Sequence, residues 1–375
     1  MNILIFVVVL AILIFVHELG HFIFAKKTGM LVEEFAIGFP PRIFSRKKGE
    51  TQYSFGIIPL GGYCKILGED YDDPKLSVGQ GEKNETSKKE DKRKFVNQPK
   101  KNQALVLIAG VGFNFILAWI LFSISFVSGM PVSASQFKDK VVEDPALVLM
   151  DVMVNSPAEN AGLEIGDTIL YLNSGTEAVQ DFVNIETPTD FIVSTGEKEI
   201  EILYKRGEEI LLTKLTPEKG LINEDSVAIG VSFDVVGVVD LGFFESIWEG
   251  LKMTLSLIKI IALSLIMFVY GIFTGTSSLA QVSGPVGIVS MVGSAFEFGI
   301  VYLMSFVALI SINLGVINLI PIPALDGGRL LFLAIEAVKG SPMNPKAVNL
   351  LNLLGFILLM GLMLIVTVSD VFKLF

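Results

Sequence analysis

Long apolar runs separated by polar segments dominate the chain. The runs at residues 2–25, 103–129, 298–323 and 348–369 reach or approach the roughly 20 residues that a helix needs to cross a bilayer. We therefore predict a polytopic α-helical membrane protein with about four transmembrane helices. A fifth apolar run, residues 243–273, is equally long and needs a separate argument.

The segments between these runs have a different pattern. Residues 31–69 alternate loosely between apolar and polar positions, with Gly and Pro between them, which predicts short strands close to the membrane. Residues 70–102 are charged and poor in apolar side chains, and we predict a mobile linker there. Residues 130–235 contain alternating runs and one turn–helix–strand segment, 154–174, which predicts an inserted α+β domain.

Basic residues set the expected orientation. Lys26 and Lys27 follow the first run, and the segment KKEDKRKF precedes the second. Because positive charge favours the cytoplasmic side, residues 31–102 are predicted to be cytoplasmic and the N-terminus extracytoplasmic. Residues 138–225 hold 19 Asp and Glu against 7 Lys and Arg, which fits an inserted domain outside the cytoplasm.

The run at 243–273 conflicts with a simple count of crossings. The first span contains His17 and His21, and Asp326 follows the span that ends near residue 323. Both spans must run inward if these three side chains are to meet at one depth. Residues 243–297 must then cross an even number of times. We predict a membrane-interfacial or obliquely inserted helix, with a hairpin that returns through residues 283–288 as the alternative.

Composition narrows the possible chemistry. Hydrophobic residues make up 51% of the chain and the mean hydropathy is +0.62, which is typical of a membrane protein. Cys64 is the single cysteine, so a disulfide framework or a cysteine-rich zinc site is excluded. The two histidines are His17 and His21, so a metal site must combine them with a carboxylate. Nothing in the charge pattern indicates nucleic-acid binding.

Both histidines belong to the sequence HELGH, residues 17–21, inside the first apolar run. Residues four apart share one helix face, so His17 and His21 can chelate one ion, and Glu18 can take a proton from a metal-bound water. The alternative is a pair of core histidines satisfied by hydrogen bonds. Ionisable residues in a lipid-length helix are usually functional, which favours a catalytic zinc site. Gly20 would permit a close approach to this helix.

A third ligand has to come from elsewhere in the chain. Asp326, in the sequence IPIPALDGGRLL, is the leading candidate, because few acidic residues lie at membrane depth. Pro321 and Pro323 break the helix before it, and unwound backbone is tolerated at membrane depth where it lines a cavity. The alternative is that Asp326 is an ordinary cap at a helix end.

Five motifs in order along the chain closely resemble the bacterial site-2 protease family, of the type that processes anti-sigma factors. They are HELGH (17–21), IPLGGYCKILGE (58–69), GVGFNF (110–115), SGPVGI (283–288) and NLGVINLIPIPALDGGRLLF (313–332). SPAENAGLEIGDTIL, within the inserted domain, resembles the core of a PDZ domain. One motif departs from the family pattern, with Gly110-Val111 where the family has Gly-Pro.

The resemblance implies an intramembrane zinc metalloendopeptidase with one Zn²⁺ per chain. It implies zinc bound by His17, His21 and Asp326, with Glu18 as the general base that activates a zinc-bound water. The substrates would be single-span membrane proteins already trimmed by an upstream protease, such as anti-sigma factors or remnant signal peptides. The location would be the bacterial inner membrane, with the PDZ-like domain extracytoplasmic.

The resemblance also implies residues that hold the substrate. Gly61, Gly62 and Tyr63 match a membrane-associated β-loop that pairs with an extended substrate. Asn114 and Asn318 match polar positions that would position substrate or polarise the scissile carbonyl, and Pro323 is expected beside them. The alternative for the two asparagines is hydrogen bonding between helices.

These expectations define eight segments. They are 1–30, the first transmembrane helix; 31–69, the β-loop; 70–102, the cytoplasmic linker; 103–129, the second transmembrane helix; 130–235, the PDZ-like domain; 236–297, the interfacial segment; 298–330, the third transmembrane segment; and 331–375, the fourth transmembrane helix.

Two other functions compete with the protease. The first is a non-proteolytic adaptor with an inactive metal site, which an intact Glu18 disfavours. The second is an ion transporter, which the lack of a visible internal repeat disfavours. The PDZ-like domain could bind peptide ends or exclude bulky substrates, and the family resemblance slightly favours exclusion.

Overall fold

The computed structural model describes residues 1–69, 92–134, 143–180, 182, 184–221, 226–239, 241–276 and 284–372. It contains two compact units, one formed by Met1–Ser125 with Phe243–Phe375 and the other by Phe126–Gly242. We call the first the membrane unit and the second the inserted unit. Most of the predicted charged linker, residues 70–91, lies outside the described residues.

The helices and strands occur in the following order. The helices are α1 (Asn2–Lys27), α2 (Lys100–Val127), α3 (Pro157–Asn160), α4 (Glu186–Thr195), α5 (Phe243–Thr274), α6 (Pro285–Glu297), α7 (Ile300–Asn318), α8 (Asp326–Lys339) and α9 (Pro345–Phe372). The strands are β1 (Val32–Lys48), β2 (Thr51–Ile66), β3 (Met130–Ser133), β4 (Glu143–Val152), β5 (Thr168–Asn173), β6 (Ala178–Val179), β7 (Ile200–Arg206), β8 (Glu209–Leu215), β9 (Glu218–Lys219), β10 (Val227–Ala228) and β11 (Val231–Val239).

Five of the described helices are long and apolar enough to cross a membrane, judged by length and composition. They are Asn2–Lys27, Lys100–Val127, Phe243–Ile272, Ile300–Asn318 and Pro345–Phe372. The predicted count of four is therefore not confirmed. The additional helix is α5, which was predicted to lie at the membrane interface, and length and composition do not distinguish a span from an obliquely inserted helix.

Glycines bring α1 and α2 into close contact. A Cβ atom on Gly20 would lie 2.4 Å from the carbonyl oxygen of Ala109, and one on Gly110 would lie 2.3 Å from Nε2 of His21. Both distances are far below a van der Waals contact, so only glycine fits at either position. The prediction that Gly20 allows a close approach to its helix is confirmed, and the approaching element is α2.

The strands β1 and β2 form a small antiparallel sheet. Both strands bend, so that different parts of one strand lie in different rows of the sheet. Residues 34–37 of β1 pair with 52–55 on one side and with 62–65 on the other, so that Phe35 is opposite both Tyr53 and Cys64. Residues 62–66 of β2 form an outer row, which we call the edge stretch. Among the described residues, its only strand partner is β1.

Charged contacts fix this sheet to the end of α1. Glu50, in the turn between β1 and β2, accepts hydrogen bonds from Lys26 Nζ at 2.6 Å and from the Arg93 guanidinium at 2.7 and 2.8 Å. These hydrogen bonds lower the pKa of Glu50 from 4.5 to about 2, and the bonds from Arg93 have the largest effect. Because the folded pKa is depressed, the contribution of this contact to stability is fully present above pH 4.5 and is lost as the pH falls through about 2.

The helix α6 contacts the first residues of α1 and the last residues of α9. The backbone N–H of Gly287 donates to Asp370 Oδ2 at 2.9 Å, which satisfies one orphan donor at the start of α6. In the second half of α6, a Cβ on Gly293 would lie 2.2 Å from Nδ2 of Asn2. These two contacts place Gly287 beside the C-terminal end of α9 and Gly293 beside the N-terminus of α1.

The inserted unit is built on a seven-stranded sheet. Its strands follow the order β3-β11-β4-β5-β7-β8, with β6 paired to β5. The helix α3 begins after Ser156, whose Oγ accepts from the Glu159 N–H at 3.2 Å as an N-cap. The predicted turn, short helix and apolar strand therefore appear in that order. The core is formed by inward residues such as Leu147, Leu149, Ile169, Ile200 and Ile202.

Candidate active site

The side chains of HELGH and the LDG segment converge within the membrane unit. His17 and His21 lie one turn apart on α1, and their Nε2 atoms are 3.3 Å apart. Asp326 Oδ2 lies 3.1 Å from Nε2 of His17 and 3.3 Å from Nε2 of His21. The three donor atoms therefore form a nearly equilateral triangle. Both histidines are buried, and Asp326 is largely so.

The size of this triangle fits a zinc ion. Donor atoms bonded tetrahedrally to zinc at about 2.0–2.1 Å lie ~3.3–3.4 Å apart, close to the 3.1–3.3 Å found here. Among the described residues, no hydrogen bond of good geometry reaches the buried Asp326 Oδ2. A buried carboxylate oxygen without a donor is costly unless a cation compensates it. Two imidazoles and one carboxylate are also the ligand types of hydrolytic zinc sites.

The chain between α7 and α8 is shaped to bring Asp326 to the histidines. The helix α7 ends at Asn318, and α8 begins at Asp326 after an irregular turn in which Ala324 has a φ of 77°. Gly327 and Gly328 pack against this turn, where a Cβ would lie 2.3 Å from the Ile320 carbonyl oxygen and 2.2 Å from that of Ile322. The two glycines after Asp326 thus allow the tight return.

The position of Asp326 bears on the alternative role considered for it. The N-cap of α8 is Leu325, which makes no side-chain capping bond, and Asp326 is the first helical residue. Its Oδ2 points at the two histidines instead of at a backbone N–H. Asp326 is therefore not the N-cap residue of α8, and the three side chains form a group that could hold a metal ion.

A cavity of about 610 Å³ opens onto this triangle. Its lining includes the three converging residues, Glu18, the edge stretch from Gly62 to Ile66, and Glu69 with Arg329. Gly62 brings the edge stretch against α1, since a Cβ there would lie 3.3 Å from Cγ of Glu18. The cavity thus contains a carboxylate beside the triangle of donor atoms and a row of backbone along one wall.

The remaining predicted residues lie at different distances from this cavity. Gly62 and Tyr63 line it, whereas Gly61 packs on the ring of Phe39. Asn318 is the last residue of α7, and Pro323 lies in the turn that precedes Asp326. Neither residue lines the cavity. Asn114 is also outside the lining. It is fully buried, and its Nδ2 lies 3.1 Å from Nδ1 of His17.

Two features of the site were missed from the sequence. Arg329 pairs with Glu69 across the cavity wall, joining α8 to the end of the β-sheet. Val106, on α2, accepts a hydrogen bond from Nδ1 of His21 at 2.9 Å. The Arg–Glu pair could have been suspected from a charge one turn after Asp326. The Val106 carbonyl carries no sequence signal, because any residue supplies one.

The fold and the site define a membrane-embedded metalloprotease, and comparisons with known proteins agree. The profile of peptidase family M50 matches residues 5–362. The chain is 33% identical to the zinc metalloprotease RasP of Shouchella clausii, covering 100% of this chain and 99% of that one. It is also 33% identical to the regulator of sigma-W protease RasP of Bacillus subtilis, covering 99% and 98%.

The chain therefore belongs to peptidase family M50, the site-2 proteases. It is a zinc metalloprotease and a multi-pass bacterial membrane protein. Because the family is one of zinc metalloproteases, the adaptor and transporter hypotheses are set aside. A PDZ domain of an SdrC-like protein from Listeria monocytogenes matches 25% of this chain and 92% of its own, at 23% identity and a TM-score of 0.21.

Proposed function

We propose that the protein hydrolyses peptide bonds within the transmembrane segment of single-span membrane proteins. The observation that carries this proposal is the triangle of His17, His21 and Asp326 in and beside the apolar helix α1. A hydrolytic site at that depth reaches bonds that lie in the bilayer. The cavity beside it leaves room for an extended peptide and for water.

In this proposal His17, His21 and Asp326 hold the zinc ion, and Glu18 is the general base. When bound, zinc acts as a Lewis acid that polarises a carbonyl and makes water a stronger nucleophile. Glu18 lines the same cavity, next to His17 in sequence, and is placed to take the proton of the attacking water. The same carboxyl group then delivers that proton to the leaving amine.

The edge stretch is proposed to hold the substrate. A helix hides its backbone in its own hydrogen bonds, so the substrate must unwind before a bond can be cut. An extended peptide can then add to a sheet edge through main-chain hydrogen bonds. The edge stretch supports this role because it has one strand partner in the described part of the chain and because it lines the cavity beside Glu18.

Replacing Gly62 by Val tests the edge stretch. The new Cβ would meet the Ala36 carbonyl oxygen and Ile14 Cγ2, each at 2.9 Å, and Glu18 Cγ at 3.3 Å, so the stretch must move away from α1. We expect kcat/KM to fall at least about tenfold, since even small displacements of a positioned substrate are costly. Zinc content should remain that of wild type.

The matched control is Gly112→Ala on α2, where an added Cβ meets nothing within 4 Å. That variant should cleave within about twofold of wild type, because helix-interior Ala is tolerated at an open position. Wild-type cleavage by Gly62→Val, measured on the same tagged substrate, would contradict a substrate site on the edge stretch.

The proposed substrate class is single-span proteins already trimmed outside the membrane. The Bacillus subtilis relative is named as a regulator of sigma-W. By that similarity we propose anti-sigma factors, and also remnant signal peptides, as substrates of this chain. Purified protein should cut a tagged single-span substrate with a short exterior stub. It should lose this activity with a zinc chelator and regain it when zinc is restored.

We further propose that α1 runs inward and that α5 does not complete a crossing. Lys26 and Lys27 end α1, and Lys100 and Lys101 begin α2, which favours a cytoplasmic location for these four residues. Gly287 and Gly293 of α6 contact residues at the opposite level, Asp370 and Asn2 respectively. If α5 crossed inward, the ten residues from 275 to 284 would have to bring the chain back across about 30 Å of hydrocarbon before α6 begins. Ten residues reach that distance only when the backbone is nearly fully extended.

Cysteine labelling tests this topology. In a Cys64→Ala background, Thr276→Cys should react with a membrane-impermeant maleimide added from outside, whereas Lys27→Cys should react only after the membrane is opened. Labelling of residue 276 from the cytoplasmic side alone would overturn the proposal for α5. It would support five complete spans instead.

A further inference from the structure

The outer edges of the two histidine rings, away from Asp326, both face α2. The Nε2 atoms of His17 and His21 converge with Asp326 Oδ2. A neutral imidazole binds a cation through the nitrogen that has no proton, so each Nδ1 must carry the hydrogen. His21 meets this requirement, because its Nδ1 lies 2.9 Å from the Val106 carbonyl oxygen, which can only accept.

The Nδ1 atom of His17 faces the amide of Asn114. The nearer amide atom is Nδ2, at 3.1 Å, while Oδ1 is buried and has no hydrogen-bond partner in the described part of the chain. An amide nitrogen can only donate, so this orientation places the His17 proton on Nε2, facing Asp326. Rotating the amide by 180° exchanges its two atoms at nearly equal volume and presents Oδ1 to His17.

We propose that Asn114 is a positioning residue whose Oδ1 accepts a hydrogen bond from Nδ1–H of His17 and thereby makes Nε2 the zinc-binding atom. This inference rests on the zinc site of the proposed function. It assigns Asn114 to the metal centre, not to the substrate contact predicted from the sequence. One helix, α2, then supplies the acceptors for both histidines, Val106 for His21 and Asn114 for His17.

The surroundings of Asn114 favour it as the acceptor for this edge of the ring. Asn114 is 0% exposed, so bulk water does not compete for the His17 proton. Its backbone carbonyl accepts from Ser311 Oγ at 2.8 Å, and Ser311 is also 0% exposed, which fixes the residue against α7. The close approach at Gly20 and Gly110 holds α2 at hydrogen-bond distance from both rings.

Zinc affinity tests the proposal without recourse to activity. Asn114→Leu keeps the approximate volume but removes the acceptor, and we expect zinc to bind about 10–100-fold more weakly, as for other partners of metal-binding histidines. Asn114→Asp keeps an acceptor oxygen and should bind at least as tightly as wild type. Affinity is measured on purified full-length protein by competition with a chromogenic chelator.

Ser311→Ala is the matched control. It removes the hydrogen bond from α7 to the backbone of the same residue, Asn114, and leaves the Asn114 amide in place. Its zinc affinity should stay within about threefold of wild type. Wild-type affinity in Asn114→Leu would overturn the proposal, as would Asn114→Asp binding as weakly as Asn114→Leu. Loss of affinity in Ser311→Ala equal to that of Asn114→Leu would also overturn it, by showing a packing effect.

A second measurement covers the case in which Asn114→Leu does not fold. The chain contains two histidines, so ¹⁵N-histidine labelling reports on these two rings alone. In zinc-loaded wild type we expect a proton on Nδ1 of both rings, and Asn114→Asp should shift only one of the two Nδ1–H signals. A proton on Nε2 of either ring would overturn the proposal. Wild type that binds no zinc, or binds it independently of Asp326, would instead overturn the proposed site itself.

Discussion

Replacing Glu18 by Gln is expected to lower kcat/KM for a single-span substrate by about 10²–10⁴-fold, the usual contribution of a positioned general base. The amide has nearly the same shape as the carboxylate but cannot take a proton from water. Glu18 lines the cavity beside the ligand triangle without being one of its three donors. Zinc content should therefore stay at one ion per chain.

The comparison needs zinc analysis and cleavage on the same preparation. Glu249→Gln is the matched control, since it removes an equal charge from α5, where Glu249 pairs with Lys252 away from the cavity. Its cleavage should equal that of wild type within about twofold. If Glu18→Gln retains full activity, another group takes the proton, and the assignment of Glu18 as the base is wrong.

Replacing Asp326 by Asn is expected to remove zinc and activity together. The change neutralises the only carboxylate in the triangle, and an amide is a much poorer zinc ligand. Loss of an outer partner alone costs 10–100-fold in metal affinity, so loss of a direct ligand should exceed roughly 100-fold. Elemental analysis after dialysis against a weak chelator measures the zinc that remains.

Asp370→Asn is the matched control for this variant. Asp370 is also a buried carboxylate of the membrane unit, but its Oδ2 accepts from the N–H of Gly287 at the start of α6. Some thermal stability should be lost there, and zinc should be retained. If Asp326→Asn still holds one zinc per chain, a different third ligand must exist, and the triangle is not the metal site.

The parts of the site that follow from local geometry could be predicted from the sequence. His17 and His21 are neighbours because residues four apart on a helix share a face, whatever the rest of the chain does. Asp326 was the leading candidate for the third ligand, because it is the one acidic residue in a largely apolar, Pro-broken segment. The resemblance to site-2 proteases then supplied the complete ligand set and the peptide substrate, and membership of family M50 is confirmed.

The parts that depend on packing between distant segments could not be predicted. Asn114 is 97 positions from His17, and its contact with the imidazole follows from the close crossing of α1 and α2. The double pairing of β1 results from how β2 folds back, which the loose alternation of residues 31–69 does not specify. The helix α5 is long and apolar enough to cross a membrane, so its length alone does not give its position. That position depends on what the two ends of α5 contact.

The most direct test of a protease that acts inside the bilayer is to map the bond that it cuts. The purified protein is reconstituted with a tagged single-span substrate in lipid vesicles, and the products are identified by mass spectrometry. We predict a cut within the apolar span, absent in Glu18→Gln and in chelator-treated wild type. Cleavage confined to the polar flanks of the span, or cleavage that persists in Glu18→Gln, would contradict the account.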